Sequence, residues 1–172
     1  DMVSRIAQLR QQIDQYEEES SSENLILKNL KGQVRSYMLV YGNIGVRGPG
    51  MIITLEGTAD DNIAYIVEQR KYLINLVNEL KVFGAEAVSI NNQRIVSRSD
   101  IVLAGNHINV NATPIAPPYI IRVIGDTQTL KRYIDYRTVL FELMKRDNIN
   151  SDVKFLDDIE ILPLTREKSI QF

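Results

Sequence analysis

A heptad register at the start of this chain constrains its fold more than any other feature. Met2, Ile6, Leu9, Ile13 and Tyr16 are spaced four, three, four, three, and Leu27, Leu30, Val34, Tyr37 and Tyr41 resume the frame after a polar stretch. So narrow an apolar stripe is stable only under another apolar surface, and a second copy of the same helix is the simplest cover. The spacing predicts one coiled-coil helix over residues 1–41 that pairs two chains into a homodimer. Its seam is Ile6, Leu9, Ile13, Tyr16, Leu27, Leu30 and Val34. Ser20 and Glu23 fall on that seam, which makes Glu17–Glu23 its weak point, since serine competes with the helix for local hydrogen bonds. An amphipathic helix lying on its own domain satisfies the same pattern.

Residues 42–50 hold four glycines and a proline and read as a linker, so the globular domain is expected over residues 51–172. Within it a β-α-β pattern occurs twice. Gly50-Met51-Ile52-Ile53-Thr54-Leu55-Glu56-Gly57 aligns with Pro118-Tyr119-Ile120-Ile121-Arg122-Val123-Ile124-Gly125, and each strand-like run ends in glycine. Asp60 or Asp61 can cap a first helix carrying Ile66, Leu73, Leu76, Val77, Leu80 and Phe83 on one face, with Gly84 closing it. Asp126 can cap a second helix, with Leu130, Tyr133, Ile134, Leu140, Phe141 and Met144 on its apolar face. A strand follows each helix, with a turn at Asn91-Asn92 in the first unit and at Asp157-Asp158 in the second. Residues 101–117 form a strand-rich connector that turns near Asn111-Ala112.

The expected class is α+β: a ferredoxin-like duplicated β-α-β sandwich behind an N-terminal coiled-coil helix. A doubly wound parallel sheet needs more helices than these two. The chain has 172 residues, 44% of them hydrophobic, which suffices for one packed domain and an extension.

The composition excludes several functions. A net charge of −2, with Arg94 and Arg98 as the clearest basic group, does not make a nucleic-acid surface. There is no cysteine, hence neither disulfides nor thiolate metal sites. The one histidine, His107, sits near Ser97, Ser99 and Asp100, but triads are recognised by geometry and not by proximity in sequence. No metal-ligand spacing occurs, and neither a metal nor a cofactor is expected. The glycines between Gly45 and Gly50 precede a strand, whereas a phosphate loop opens a helix. Adjacent carboxylates, as in Asp60-Asp61, point apart and do not form an acid/base pair.

The polar candidates for a ligand or partner site are Asn91, Gln93, Arg94, Asn106 and Asn111, with Asn92, His107 and Asn109 beside them. Converging amides and an arginine suit a sugar, a peptide backbone or a carboxylate. The same asparagines also serve tight turns of positive φ. Two readings follow: a non-enzymatic interaction or scaffold module, and a small-ligand sensor that uses the amide turns. An enzyme ranks last.

An ordered series of motifs carries a family resemblance. Gly48-Pro49-Gly50, Gly84-Ala85-Glu86-Ala87, Ile90-Asn91-Asn92-Gln93-Arg94-Ile95, Gly105-Asn106, Val110-Asn111, Pro117-Pro118-Tyr119 and Gly125-Asp126 resemble the bacterial YlxW/YlxX-like family, domain of unknown function 881. The resemblance runs from about residue 2 to the end of the chain. It implies a single-pass bacterial membrane protein with a coiled-coil segment and this domain outside the cytoplasmic membrane. It also implies envelope or cell-division partners and no established activity. The chain begins at Asp1, which fits a fragment or processed form whose membrane anchor lies upstream. Members carry an asparagine-glycine turn where this chain has Asn91-Asn92, and Ala112 stands at a position that favours positive φ.

Overall fold

The fold is taken from a computed structural model that describes residues 2–19, 25–58, 62–136 and 138–164. The chain divides into two compact units, Asp1–Ile44 and Gly45–Phe172.

The first unit corrects the expectation of a single helix over residues 1–41. It holds two helices, α1 (Met2–Glu19) and α2 (Leu25–Val40), and α2 folds back along α1. Leu9, Ile13 and Val34 form a buried cluster with Leu27, Leu30, Tyr37 and Met38 half-buried around it, and Arg10 reaches Met38 Sδ at 3.7 Å. Ile6 is buried as well. A heptad stripe requires cover without specifying its source, and the polar Glu17–Glu23 stretch divides the stripe into two halves that cover each other. Residues 20–24, with Ser20 and Glu23, lie outside the described residues, as does the side chain of Tyr16.

The second unit is α+β. Its elements in order are β1 (Val46–Gly57), α3 (Ala64–Gln69), α4 (Tyr72–Val82), β2 (Ala87–Ile90), β3 (Gln93–Ile95), β4 (Ile101–Ala104), β5 (His107–Val110), β6 (Thr113–Ile115), β7 (Tyr119–Ile124), α5 (Thr127–Tyr136), α6 (Thr138–Arg146) and β8 (Ile149–Ile161). Five strands form one sheet in the order β3-β2-β7-β1-β8, every neighbouring pair antiparallel, and β4-β5-β6 form a separate meander. Side chains alternate across the sheet. Met51, Ile53, Leu55, Val88, Ile90, Tyr119, Ile121 and Val123 point to one face and pack with residues of the helices, including Val67, Leu73, Leu76, Leu80, Leu130 and Met144. The meander adds Ile108, Val110 and Ile115 to the same core. Each fully buried aliphatic side chain contributes about 1.5–3 kcal/mol.

Local signals placed several boundaries. Gly84 takes φ 84° just past α4, and the Ala85 N–H donates to the Leu80 carbonyl at 2.9 Å, a Schellman closure. The Thr129 N–H donates to Asp126 Oδ2 at 2.8 Å and caps α5. Asn91-Asn92 and Asn111-Ala112 are two-residue hairpin turns in which all four residues have positive φ, so Ala112 adopts the conformation its side chain disfavours.

Other expectations need correction. The first long helix is broken in two, since Lys71, at φ 58°, separates α3 from α4; the second is described as α5 and α6 on either side of residue 137, which lies outside the described residues. Asp60 and Asp61 lie outside them too. The linker over residues 42–50 gives way at Val46 to β1, so Gly48-Pro49-Gly50 is strand. Asp157-Asp158 is not a turn. It lies inside β8, where the pairing with β1 shifts between Gly48 and Gly50, so two aspartates face Pro49 in a bulge. Proline brings no N–H to the ladder, which makes its position the natural place for a shift.

Candidate functional site

The side chains of Asn91 and Asn111 are engaged by the protein's own backbone. The Asn91 side-chain NH2 donates to the carbonyls of Ala116 at 2.9 Å and Pro118 at 3.3 Å, and its Oδ1 accepts from the Ile120 N–H at 2.7 Å. This residue is therefore committed to fastening the β2–β3 turn to the Ala116–Pro118 segment. Asn111 is buried, and its Nδ2 donates to the Arg94 carbonyl at 2.8 Å. The Ser99 hydroxyl donates to that same carbonyl, so Ser99 is committed there too. Arg94 is buried, and desolvation lowers its pKa. Gln93 is half-buried opposite Ile90. Asn106 is exposed in the β4–β5 turn, at the other end of β5 from Asn111; its carbonyl accepts from Asn62, and its Oδ1 lies 3.3 Å from His107 Nδ1. The structure thus ties the side chains of Asn91 and Asn111 to backbone around two turns, Asn111 through the Arg94 carbonyl, and leaves Asn106 apart. Among the described residues no three His, Asp or Glu side chains are grouped to hold a metal.

A different site lies on the sheet face turned away from the helices. There the alternation presents Ser89, Arg122, Ile52 and Lys154 in one row across β2, β7, β1 and β8. Beyond the bulge β8 crosses this face, because Ile159 and Ile161 pack on Ala87 and Ile124 of β2 and β7, strands that β8 does not pair with. Gly50 permits the close approach beneath: a Cβ there would lie 1.8 Å from the Val123 carbonyl oxygen.

Between the crossing arm and the sheet runs a cleft of about 310 Å³. Ile52 and Arg122 come from the central strands, Leu156 from β8 just before the bulge, Ile159 and Leu162 from the arm, and Asn92, Asp158 and Glu160 complete the lining. Arg122 is half-buried, and its guanidinium donates to Asn92 Oδ1 at 2.8 Å. Asp158 forms a two-pronged ion pair with Arg47, which holds its carboxyl below the usual carboxylate range and raises the arginine in turn. Leu156 and Leu162 are 44% and 50% exposed, so the cleft opens onto apolar surface. Residues capable of this were visible in the sequence: Arg122 interrupts an apolar strand at a position opposite in parity to Ile121 and Val123, which marks a second face.

A second cavity, of about 500 Å³, is lined by residues including Asn62, Ile66, Arg146 and Asp147. Asp147 is already engaged by the Tyr72 hydroxyl and by Arg70 Nε at 3.2 Å. Burial, then the bond to Asp147, pushes the Tyr72 hydroxyl up to about 12.

The profile of a family described as bacterial protein of unknown function, DUF881, matches residues 33–172. The chain belongs to that family. It is 25% identical over 144 residues to the UPF0749 protein YlxW of Bacillus subtilis, covering 81% of this chain and 62% of that protein. It is 22% identical over 173 residues to the UPF0749 protein Rv1825 of Mycobacterium tuberculosis, covering 98% of this chain and 57% of that protein. The chain therefore spans about three-fifths of the length of these curated relatives. A solved structure, described as that of an uncharacterized conserved protein from Mycobacterium tuberculosis, superposes with a TM-score of 0.66 at 26% identity, covering 81% of this chain and 96% of that one.

Proposed function

We propose that this chain is a non-enzymatic interaction and scaffold module of a bacterial membrane-anchored protein, working outside the cytoplasmic membrane on partners of the cell envelope or division machinery. The observation that carries the reading is the cleft on the helix-free face. It offers a half-buried guanidinium and exposed leucines on a rigid sheet, the composition of a protein-binding patch. Its carboxylate Asp158 is neutralised by Arg47 and is not poised for proton transfer.

The strand order β2-β7-β1-β8 supports the finer reading of a ferredoxin-like duplication. So does the ladder register. Ile53 and Ile121, equated by the sequence repeat, face each other, and the pairs Met51–Val123 and Leu55–Tyr119 exchange under the same repeat. A local twofold of this kind is what two similar halves produce when they pair. It also leaves one sheet face free of helices, which is where the cleft lies.

A photo-crosslinking residue at Leu162 in the native host should capture an envelope protein, and Arg122→Glu should abolish that capture. The same probe at Val82, which is 82% exposed on α4, should capture nothing. Equal capture from both positions would sink the proposal. The sensor reading moves to this same cleft, since 310 Å³ admits a small anion on Arg122. Saturable binding of a small carboxylate to the purified chain, lost in Arg122→Glu, with no crosslinked partner would favour it.

A further inference from the structure

The five-stranded sheet ends on β3 at one side and on β8 at the other. β3 is three residues long, a short edge that gives a second chain little to pair with. β8 runs in unbroken register with β1 from Ile149 to Leu156, up to the bulge. The Thr58 N–H donates to the Asn148 carbonyl at 3.0 Å, and bonded pairs alternate from there, so Asn150, Asp152, Lys154 and Leu156 bond to β1. The N–H and C=O groups of Ser151, Val153 and Phe155 therefore point out of the sheet, and no described residue bonds to them. An added extended strand satisfies such a row.

The charges beside that row select which strand. Lys154 Nζ lies 3.4 Å from Asp152 Oδ2, and the two side chains are 74% and 63% exposed on the helix-free face. Charges on an edge deter a strand of arbitrary sequence. They fit a second β8 running antiparallel, in one register only. Outward groups must bond outward groups, so the twofold has to fall on a residue and not between two. Centred on Asp152 it sets aspartate against aspartate, and centred on Lys154 it sets lysine against lysine. Centred on Val153 it sets each Asp152 opposite the partner's Lys154, in the pair type whose side chains lie closest. Opposite charges so placed stabilise a ladder, and like charges destabilise it. We propose that β8 pairs edge to edge with β8 of a second copy of this chain, antiparallel and centred on Val153, which joins the two sheets into one. Val153 and Phe155, half-buried on the helix side, gain cover in the process. The twofold stands perpendicular to the sheet, so both clefts open on the same side, and a partner that engages both is held more tightly than by either alone. The interface draws on neither the helical unit nor Arg122, and it stands whether or not the proposed function does.

Sedimentation velocity of the full chain over a range of concentrations tests this. The wild type should dimerise reversibly, and less tightly in high salt. Lys154→Glu and Asp152→Lys should each raise the dimer Kd about tenfold or more, with the circular-dichroism spectrum and melting transition of the wild type. Mixed in equal amounts, these two variants should recover the dimer, because each then faces the opposite charges. Asp152→Lys combined with Lys154→Asp in one chain should recover it as well. A monomer at every concentration overturns the proposal. So does a dimer indifferent to the single charge reversals, or a mixture that pairs no more tightly than either variant alone.

Discussion

Tyr119 shows how one side chain can be buried at a cost. It is 0% exposed in the core, and its hydroxyl has no hydrogen-bond partner among the described residues. Burial pushes it up to about 12. An unfolded tyrosine ionises near 10, so the unfolded chain loses this proton first as pH rises. The stability tied to neutral Tyr119 is therefore full below about pH 10 and is lost as pH climbs toward 12. Tyr119→Phe removes the unpaired hydroxyl and should stabilise the fold by about 1 kcal/mol at neutral pH, with a flatter alkaline limb. Tyr72→Phe should do the opposite, costing about 1 kcal/mol, because it deletes a bond that Asp147 accepts. Urea unfolding of both variants from neutral to alkaline pH measures the two signs. At this scale local chemistry was legible: Gly84, Asp126 and the two asparagine turns act within a few residues of themselves. The roles of Asn91 and Asn111 were not, since their partners lie more than fifteen positions away.

Among the elements, β1 and β8 carry the design of the site. Gly50 and Gly48 looked alike in the sequence as parts of a linker, yet the structure separates them sharply. A Cβ on Gly50 runs into the Val123 backbone at 1.8 Å, whereas one on Gly48 meets only the Ile124 Cγ2 at 3.2 Å. Backbone cannot yield where a side chain can. Gly50→Ala should therefore cost about 3 kcal/mol or more, and Gly48→Ala about 1 kcal/mol or less. Chemical denaturation distinguishes them, and equal losses would mean that the sheet does not close over Gly50 as described. The bulge at Asp157-Asp158 explains why a turn was expected there. Paired aspartates between apolar runs fit either a turn or a bulged strand, and only the partner strand decides which.

For the whole molecule, the division at Ile44 and Gly45 implies that the α+β unit folds by its own core. A chain reduced to residues 45–172 should keep its cooperative unfolding and a Tm within a few degrees of the full chain. Loss of the transition in calorimetry would show that the helical unit is needed for folding. The sequence by itself determined the existence of an apolar heptad stripe, two β-α-β segments, a mixed α+β class and the family, because periodicity and turn chemistry are written over short stretches. Tertiary structure alone decided what covers the stripe, where β8 crosses the sheet and that Arg122 and Asn92 face a cleft. Those outcomes depend on which distant surfaces meet. Hydrophobic burial rewards any apolar cover alike, so its partner is chosen by geometry that no local pattern encodes.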